Sequence, residues 1–237
     1  MARPNTRPLH DAVIVRLVQA YTEAADPARA NAMAAYMRHR FSFLGIPTPA
    51  RRALSRDVSA DLRAPTQLDL LAVADACWLL EQREYQYFGT DLLVRHAARL
   101  TAGSLPALER LITTKSWWDT VDALASRVVG PVVAQNPDSI STLDAWIMSE
   151  DIWLIRTALL HQLRYRSTTD SSQLFRYCQA RAGHPEFFVR KAIGWALREY
   201  ARSDPEAVHR FVADHSGQLS SLSVREALRN LPAGTNE

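Results

Sequence analysis

Proline recurs along this chain at places where a helix can begin. Asp26-Pro27, Thr48-Pro49, Asn136-Pro137, His184-Pro185 and Asp204-Pro205 each set a polar residue before a proline. That pairing suits the first turn of a helix, where the missing N–H is no loss. Pro27, Pro65, Pro106, Pro137 and Pro205 stand roughly 30–40 residues apart, with one further start near Thr169 that lacks proline. No stretch alternates apolar and polar residues between hairpin signals, so strands are not expected. Apolar stripes at 3.6-residue spacing predict helices near 11–25, from Pro27 to about Arg40, and from Thr48 onward. Others are predicted near 66–80, 84–100, 105–114, 117–126, 138–149, 151–166, 171–182, 186–201, 205–216 and 221–231. An all-α chain with this period reads as an α-solenoid of HEAT-like two-helix repeats with a concave basic groove. A globular helical bundle is the alternative architecture. One domain over 1–237 is expected, with flexible termini at about 1–10 and 232–237. The loop Phe41-Ser42-Phe43-Leu44-Gly45-Ile46-Pro47 is punctuated by glycine and proline.

Composition narrows the function classes. The chain of 237 residues is 47% hydrophobic, enough for a substantial core. It holds no apolar run of about 18 residues, so a membrane partner is not expected. Cys77 and Cys178 are far apart, and the seven histidines form no ligand motif, so neither metal nor cofactor is implied. The cysteines read as buried small hydrophobes in a reducing, cytoplasmic setting. A monomer is expected.

The net charge of +3 conceals its layout. Residues 29–56 carry six arginines and no acid, residues 57–99 seven acids against four bases, and residues 151–202 nine bases against four acids. Two basic zones around an acidic one point to a polyanion, with nucleic acid the first candidate. A solvated surface in an arginine-preferring proteome would look the same on charge alone.

The stretch Lys115-Ser116-Trp117-Trp118-Asp119-Thr120-Val121-Asp122 carries the densest chemistry. Ser116 and Asp119 have capping-box spacing, which predicts a helix start. Trp118 and Asp122 then share one face at i and i+4, while Trp117, Val121 and Leu124 fit the core. An indole beside a carboxylate suits a ligand that is flat and positive. Core packing of Trp118, with Asp122 capping or pairing an arginine, fits the same spacing. Arg156 lies inside the apolar run 151–163 and needs a carboxylate, a phosphate or a groove edge, Asp122 being one possible partner. In 187–200, Lys191 and Trp195 share a face at i and i+4, and Gly194 implies close helix packing, since mid-helix glycine costs roughly 1 kcal/mol against alanine. Tyr36 lies in the first basic zone.

These residues resemble a family. Lys-Ser-Trp-Trp-Asp-Thr-Val-Asp at 115–122, Ile-Trp-Leu-Ile-Arg at 152–156 and Glu-Phe-Phe-Val-Arg-Lys-Ala-Ile-Gly-Trp-Ala-Leu-Arg-Glu-Tyr at 186–200 are similar to the AlkD-type DNA alkylation-repair glycosylases. So are Tyr36-Met37 and Phe43-Leu44-Gly45-Ile46-Pro47-Thr48-Pro49-Ala50-Arg51-Arg52, and the likeness runs from about 10 to 230. The resemblance implies HEAT-like repeats with a concave DNA-binding face. It implies excision of cationic N3- and N7-alkylated purines, of the 3-methyladenine and 7-methylguanine type, from duplex DNA without metal or nucleotide cofactor. By the resemblance the carboxylate falls on Asp122, the flanking indoles on Trp118 and Trp195, and the active-site arginine on Arg156, expected to hold a phosphate near the lesion. Tyr36, Arg51, Arg52, Lys115, Arg190 and Lys191 are the expected DNA contacts. A cytoplasmic, nucleoid-associated enzyme of base excision repair follows as the expectation. The competing classes are a non-enzymatic HEAT-type scaffold and a DNA-structure-binding relative without catalysis.

Overall fold

The computed structural model describes residues 9–60 and 62–229, and every regular element among them is helical. Of the expected flexible termini, only residues 9 and 10 fall among the described residues, where they open the first helix. The contacts group the chain into two compact units, residues 1–100 and 101–237. No helix among the described residues is long and apolar enough to cross a membrane.

In the first unit, α1 (Leu9–Glu23) buries Val13, Leu17 and Tyr21, a single stripe at four-residue spacing. It packs against α3 (Thr48–Val58) and α4 (Gln67–Leu79). α2 (Pro27–Tyr36) starts at Asp26, whose carboxylate accepts from the Ala28 and Arg29 amides, as the Asp-Pro pattern predicts. A capping box between Thr66 and Asp69 opens α4, and α5 (Arg83–Arg95) packs on it. The loop 41–47 is stapled to α5 by one buried carboxylate. Glu84 accepts from the amides of Leu44 at 3.0 Å, Gly45 at 2.8 Å and Ile46 at 3.3 Å. Backbone donors of an irregular segment are thereby satisfied inside the protein.

The second unit runs through α6 (Leu105–Thr113), α7 (Trp118–Leu124), a π-helical segment (Ala125–Val129), α8 (Gly130–Gln135), α9 (Ile140–Ile147), α10 (Ile152–Leu160), α11 (Ser171–Ala180), α12 (Phe187–Tyr200), α13 (Pro205–Asp214) and α14 (Ser221–Ala227). α10 is its centre. Residues 153–160 are all buried, and α6, α7, α9, α11 and α12 pack around the helix. Asp151 fixes its start by accepting from the amides of Trp153 at 2.8 Å and Leu154 at 3.1 Å.

Three local expectations differ from the structure. The helix expected to end at 126 continues through the π-helical segment into α8. Pro131 has no N–H for the carbonyl four residues back, and the wide turn before it absorbs the mismatch. The capping box at Ser116 does not form: α7 starts at Trp118 without a side-chain cap, and the Ser116 hydroxyl donates to the Ile112 carbonyl at 2.6 Å. Pro185 does not open α12, which begins two residues later after Glu186.

Gly194 sits where α12 crosses α14. A Cβ there would stand 2.5 Å from Glu226 Cβ and 2.8 Å from the Ser223 carbonyl oxygen. Alanine's helix propensity favours a swap by roughly 1 kcal/mol, but neither obstructing atom can swing aside. Gly194→Ala is expected to lower stability by about 1–3 kcal/mol, read as a lower denaturation midpoint with an unchanged slope.

Candidate active site

A cleft of about 810 Å³ opens in the second unit, and three elements line it. Trp118, Asp119, Asp122, Ala123, Ser126 and Arg127 come from one face of α7 and its π-helical extension. Leu163, Arg164 and Arg166 come from the turn after α10, Trp195 and Glu199 from α12 at i and i+4, and Arg202 from the turn that follows it. Trp118 and Trp195 are half-buried, so both indoles keep surface toward the cleft. Trp117, Val121 and Leu124 point the other way and are buried, as their rhythm predicts.

Asp122 and Arg156 form the polar centre. Arg156 Nε donates to Asp122 Oδ1 at 2.6 Å and Nη2 to Oδ2 at 2.9 Å, a bidentate pair. The remaining Arg156 nitrogen, Nη1, donates to the Phe188 carbonyl at 2.6 Å. Below them Trp117, Trp153 and Phe188 form a cluster with ring centroids 4.9–5.8 Å apart, and the guanidinium carbon stands 5.8 Å over the Phe188 ring. These contacts hold the arginine in one geometry, and the arginine holds the carboxylate. The Arg156 side chain is 5% exposed, whereas that of Asp122 is 18% exposed and reaches the cleft. Burial raises the Asp122 carboxyl above the ordinary aspartate value; the Arg156 hydrogen bonds and charge oppose that rise, and Asp119 adds a smaller upward push.

Arg156 gives one hydrogen bond from each of its three nitrogens inside the protein, three of its five N–H donors, and with its side chain 5% exposed the role the geometry displays is to orient Asp122. The expected DNA contact at Arg51 is corrected: it is 7% exposed, pairs with Asp91 at 2.9 Å and stacks 5.0 Å over the Tyr87 ring, so it is no surface contact for DNA. Lys191 is held by Glu226 at 2.7 Å, a carboxylate that Arg198 shares at 3.0 Å. Arg190 is half-buried on α12. Lys115 is half-buried in the turn before α7, with a left-handed φ of 50°. In the first unit, Tyr36 is 75% exposed at the end of α2 and Arg52 is exposed on α3.

Arg127, Arg164, Arg166, Glu199 and Arg202 were not singled out from the sequence, and Asp119 was read only as a capping residue. The signal for Arg127 was present, because the four-residue series from Asp119 through Ala123 reaches it once the helix is carried past 126. Arg164, Arg166 and Arg202 lay unresolved in the basic zone 151–202.

The profile of a family described as DNA alkylation repair enzyme matches residues 17–231. A solved structure described as a predicted DNA alkylation repair enzyme from Enterococcus faecalis superposes with a TM-score of 0.82 at 32% identity, covering 89% of this chain and 98% of that one. No curated protein matches the chain.

Proposed function

This chain belongs to the family of DNA alkylation repair enzymes, and from that premise we propose that it is a monofunctional DNA glycosylase that hydrolyses the N-glycosidic bond of N3- or N7-alkylated purines in duplex DNA. The observation that carries the reading is the Asp122 carboxylate, held bidentate by Arg156 and open to a cleft that Trp118 and Trp195 also line.

The chemistry runs from charge. Alkylation at N3 or N7 leaves the purine cationic, so the base departs as a neutral molecule and needs no strong general acid. Positive charge then develops on the deoxyribose, as in other glycoside hydrolyses. A fixed carboxylate stabilises that cation and orients the attacking water. Arg156 opposes the rise that burial causes in the Asp122 carboxyl and keeps the carboxylate aimed, without needing to touch the substrate. The Arg156 bonds take one site on each Asp122 oxygen, leaving further lone pairs for sugar or water. The two half-buried indoles suit a nucleotide that carries positive charge.

The test is incubation of the protein with duplex DNA methylated at purine nitrogens, followed by chromatography of the freed bases. Release of 3-methyladenine or 7-methylguanine above the spontaneous rate is expected, with the DNA strand left unbroken. DNA binding without base release would instead favour a structure-binding relative, and neither would favour a scaffold.

A further inference from the structure

Hydrolysis of a cationic alkylpurine nucleotide sets free a proton that Asp122 is badly placed to take. The C1′–N bond breaks with its electron pair on the base, which leaves neutral, and the water oxygen bonds to C1′. One water proton then needs an acceptor. Both Asp122 oxygens accept from Arg156, at 2.6 and 2.9 Å. A proton there would set a buried guanidinium against a neutral group, and stripping a buried ion of its counter-charge is strongly unfavourable. It would also remove the charge that the sugar cation needs, at the moment it is needed.

Two other carboxylates line the cleft, Asp119 and Glu199. Glu199 stands on α12 well beyond Phe188, whose carbonyl accepts from Arg156. At 1.5 Å per residue it lies about 16 Å further along the helix, and its carboxylate pairs with Arg202 at 2.9 Å. Asp119 is closer to the reacting centre. It precedes Asp122 by three positions on the cleft-lining face of α7, a spacing that sets Cβ atoms about 5–6 Å apart. Its charge adds to the upward push on the Asp122 carboxyl, as expected of neighbouring groups. Asp119 Oδ1 accepts from the Thr120 amide at 3.0 Å, which steadies the carboxylate at the head of α7. The side chain is half-buried in an open cleft, so a proton gained there has a way out to solvent.

We propose that Asp119 is a second catalytic carboxylate, which takes the proton of the attacking water while Asp122 stays ionised against the sugar cation; this rests on the glycosylase reading above. Glycoside hydrolysis commonly divides its work between two carboxylates. Here one helix supplies both, and Arg156 decides which of them keeps its charge.

The experiment measures single-turnover release of 7-methylguanine from methylated duplex DNA at saturating protein. Asp119→Asn and Asp119→Glu are compared with the intact protein, each with sodium azide or with sodium chloride at the same concentration. Asp119→Asn is expected to release purine on the order of 100-fold more slowly, the low end of the range for a general base. Asp119→Glu keeps a carboxylate and retains most of the rate. Azide is an anionic nucleophile with no proton to lose. It should bring Asp119→Asn to within about tenfold of the intact rate and remain bonded to C1′ in the DNA, whereas chloride restores nothing. Affinity for a duplex containing a stable tetrahydrofuran abasic analogue stays within a few-fold. Release by Asp119→Asn within about threefold of the intact protein overturns the proposal. So does a loss that azide does not relieve, which marks Asp119 as a support of the helix start. If Asp119→Asn also lowers the denaturation midpoint, the azide comparison still decides, since azide cannot rebuild a lost site. Release by the intact protein that Asp119→Asn matches rejects only the second carboxylate. No release by the intact protein rejects the glycosylase reading and this role with it.

Discussion

Asp122→Asn is expected to slow purine release by on the order of 100-fold or more, by analogy with the ~3–4 kcal/mol carried by one preorganised electrostatic group in an enzyme site. Asparagine keeps the size of the side chain and one accepting oxygen for Arg156, so the cleft keeps its shape. It lacks the charge that the developing sugar cation requires. Some stability is lost as well, about 1–3 kcal/mol, because a buried guanidinium is left with a weaker partner. Single-turnover release at saturating protein, alongside affinity for the abasic-analogue duplex, separates these effects. Binding should stay within a few-fold while release collapses. Near-normal release would remove Asp122 from the mechanism.

Arg156→Gln should act through the carboxylate it leaves behind. Burial already raises the Asp122 carboxyl, and Arg156 supplies the interactions that oppose the rise. Without the guanidinium the carboxyl moves higher still. Release needs the ionised form, so the acid limb of the pH–rate profile should shift to higher pH, and alkaline buffer should restore part of the lost rate. The stability consequence has a definite sign. A carboxyl whose folded value lies above its unfolded value favours the fold while protonated, and that advantage disappears as pH rises through the folded value. The variant should therefore be destabilised most at neutral and alkaline pH, by about 3–5 kcal/mol, and least in acid. Combining it with Asp122→Asn should cost less than the sum of the two single changes, because the pair acts as a unit. A loss of release with no movement of the acid limb would show that Arg156 does not act through Asp122.

Most helices were legible because each repeats the same local message: a polar cap, often a proline, then an apolar stripe. Asp26, Asp204 and Thr66 cap as sequence chemistry dictates. Where two local solutions compete, sequence spacing cannot choose. Ser116 had the right separation from Asp119 for a capping box, yet its hydroxyl found a carbonyl one turn back on α6. The continuation past 126 was hidden because a π-helical turn breaks the 3.6-residue count. Charge partners were the least visible. Asp91 lies 40 positions from Arg51, and Glu226 lies 35 from Lys191. Whether a cation faces solvent or a carboxylate is decided by tertiary packing. Sequence chemistry did require a partner for Arg156 and offered Asp122 among the choices; packing of α7 on α10 made the selection.

The Asp122–Arg156 tie also orders events in the life of the molecule. Its partners lie 34 positions apart, and the last guanidinium nitrogen is seated by Phe188, 32 positions further on. The indole of Trp195 is made later still. A chain emerging from the ribosome thus exposes the Trp118–Asp122 helix well before anything can aim its carboxylate. Until α12 has been synthesised and has docked, the nascent protein has no assembled centre with which to act on DNA.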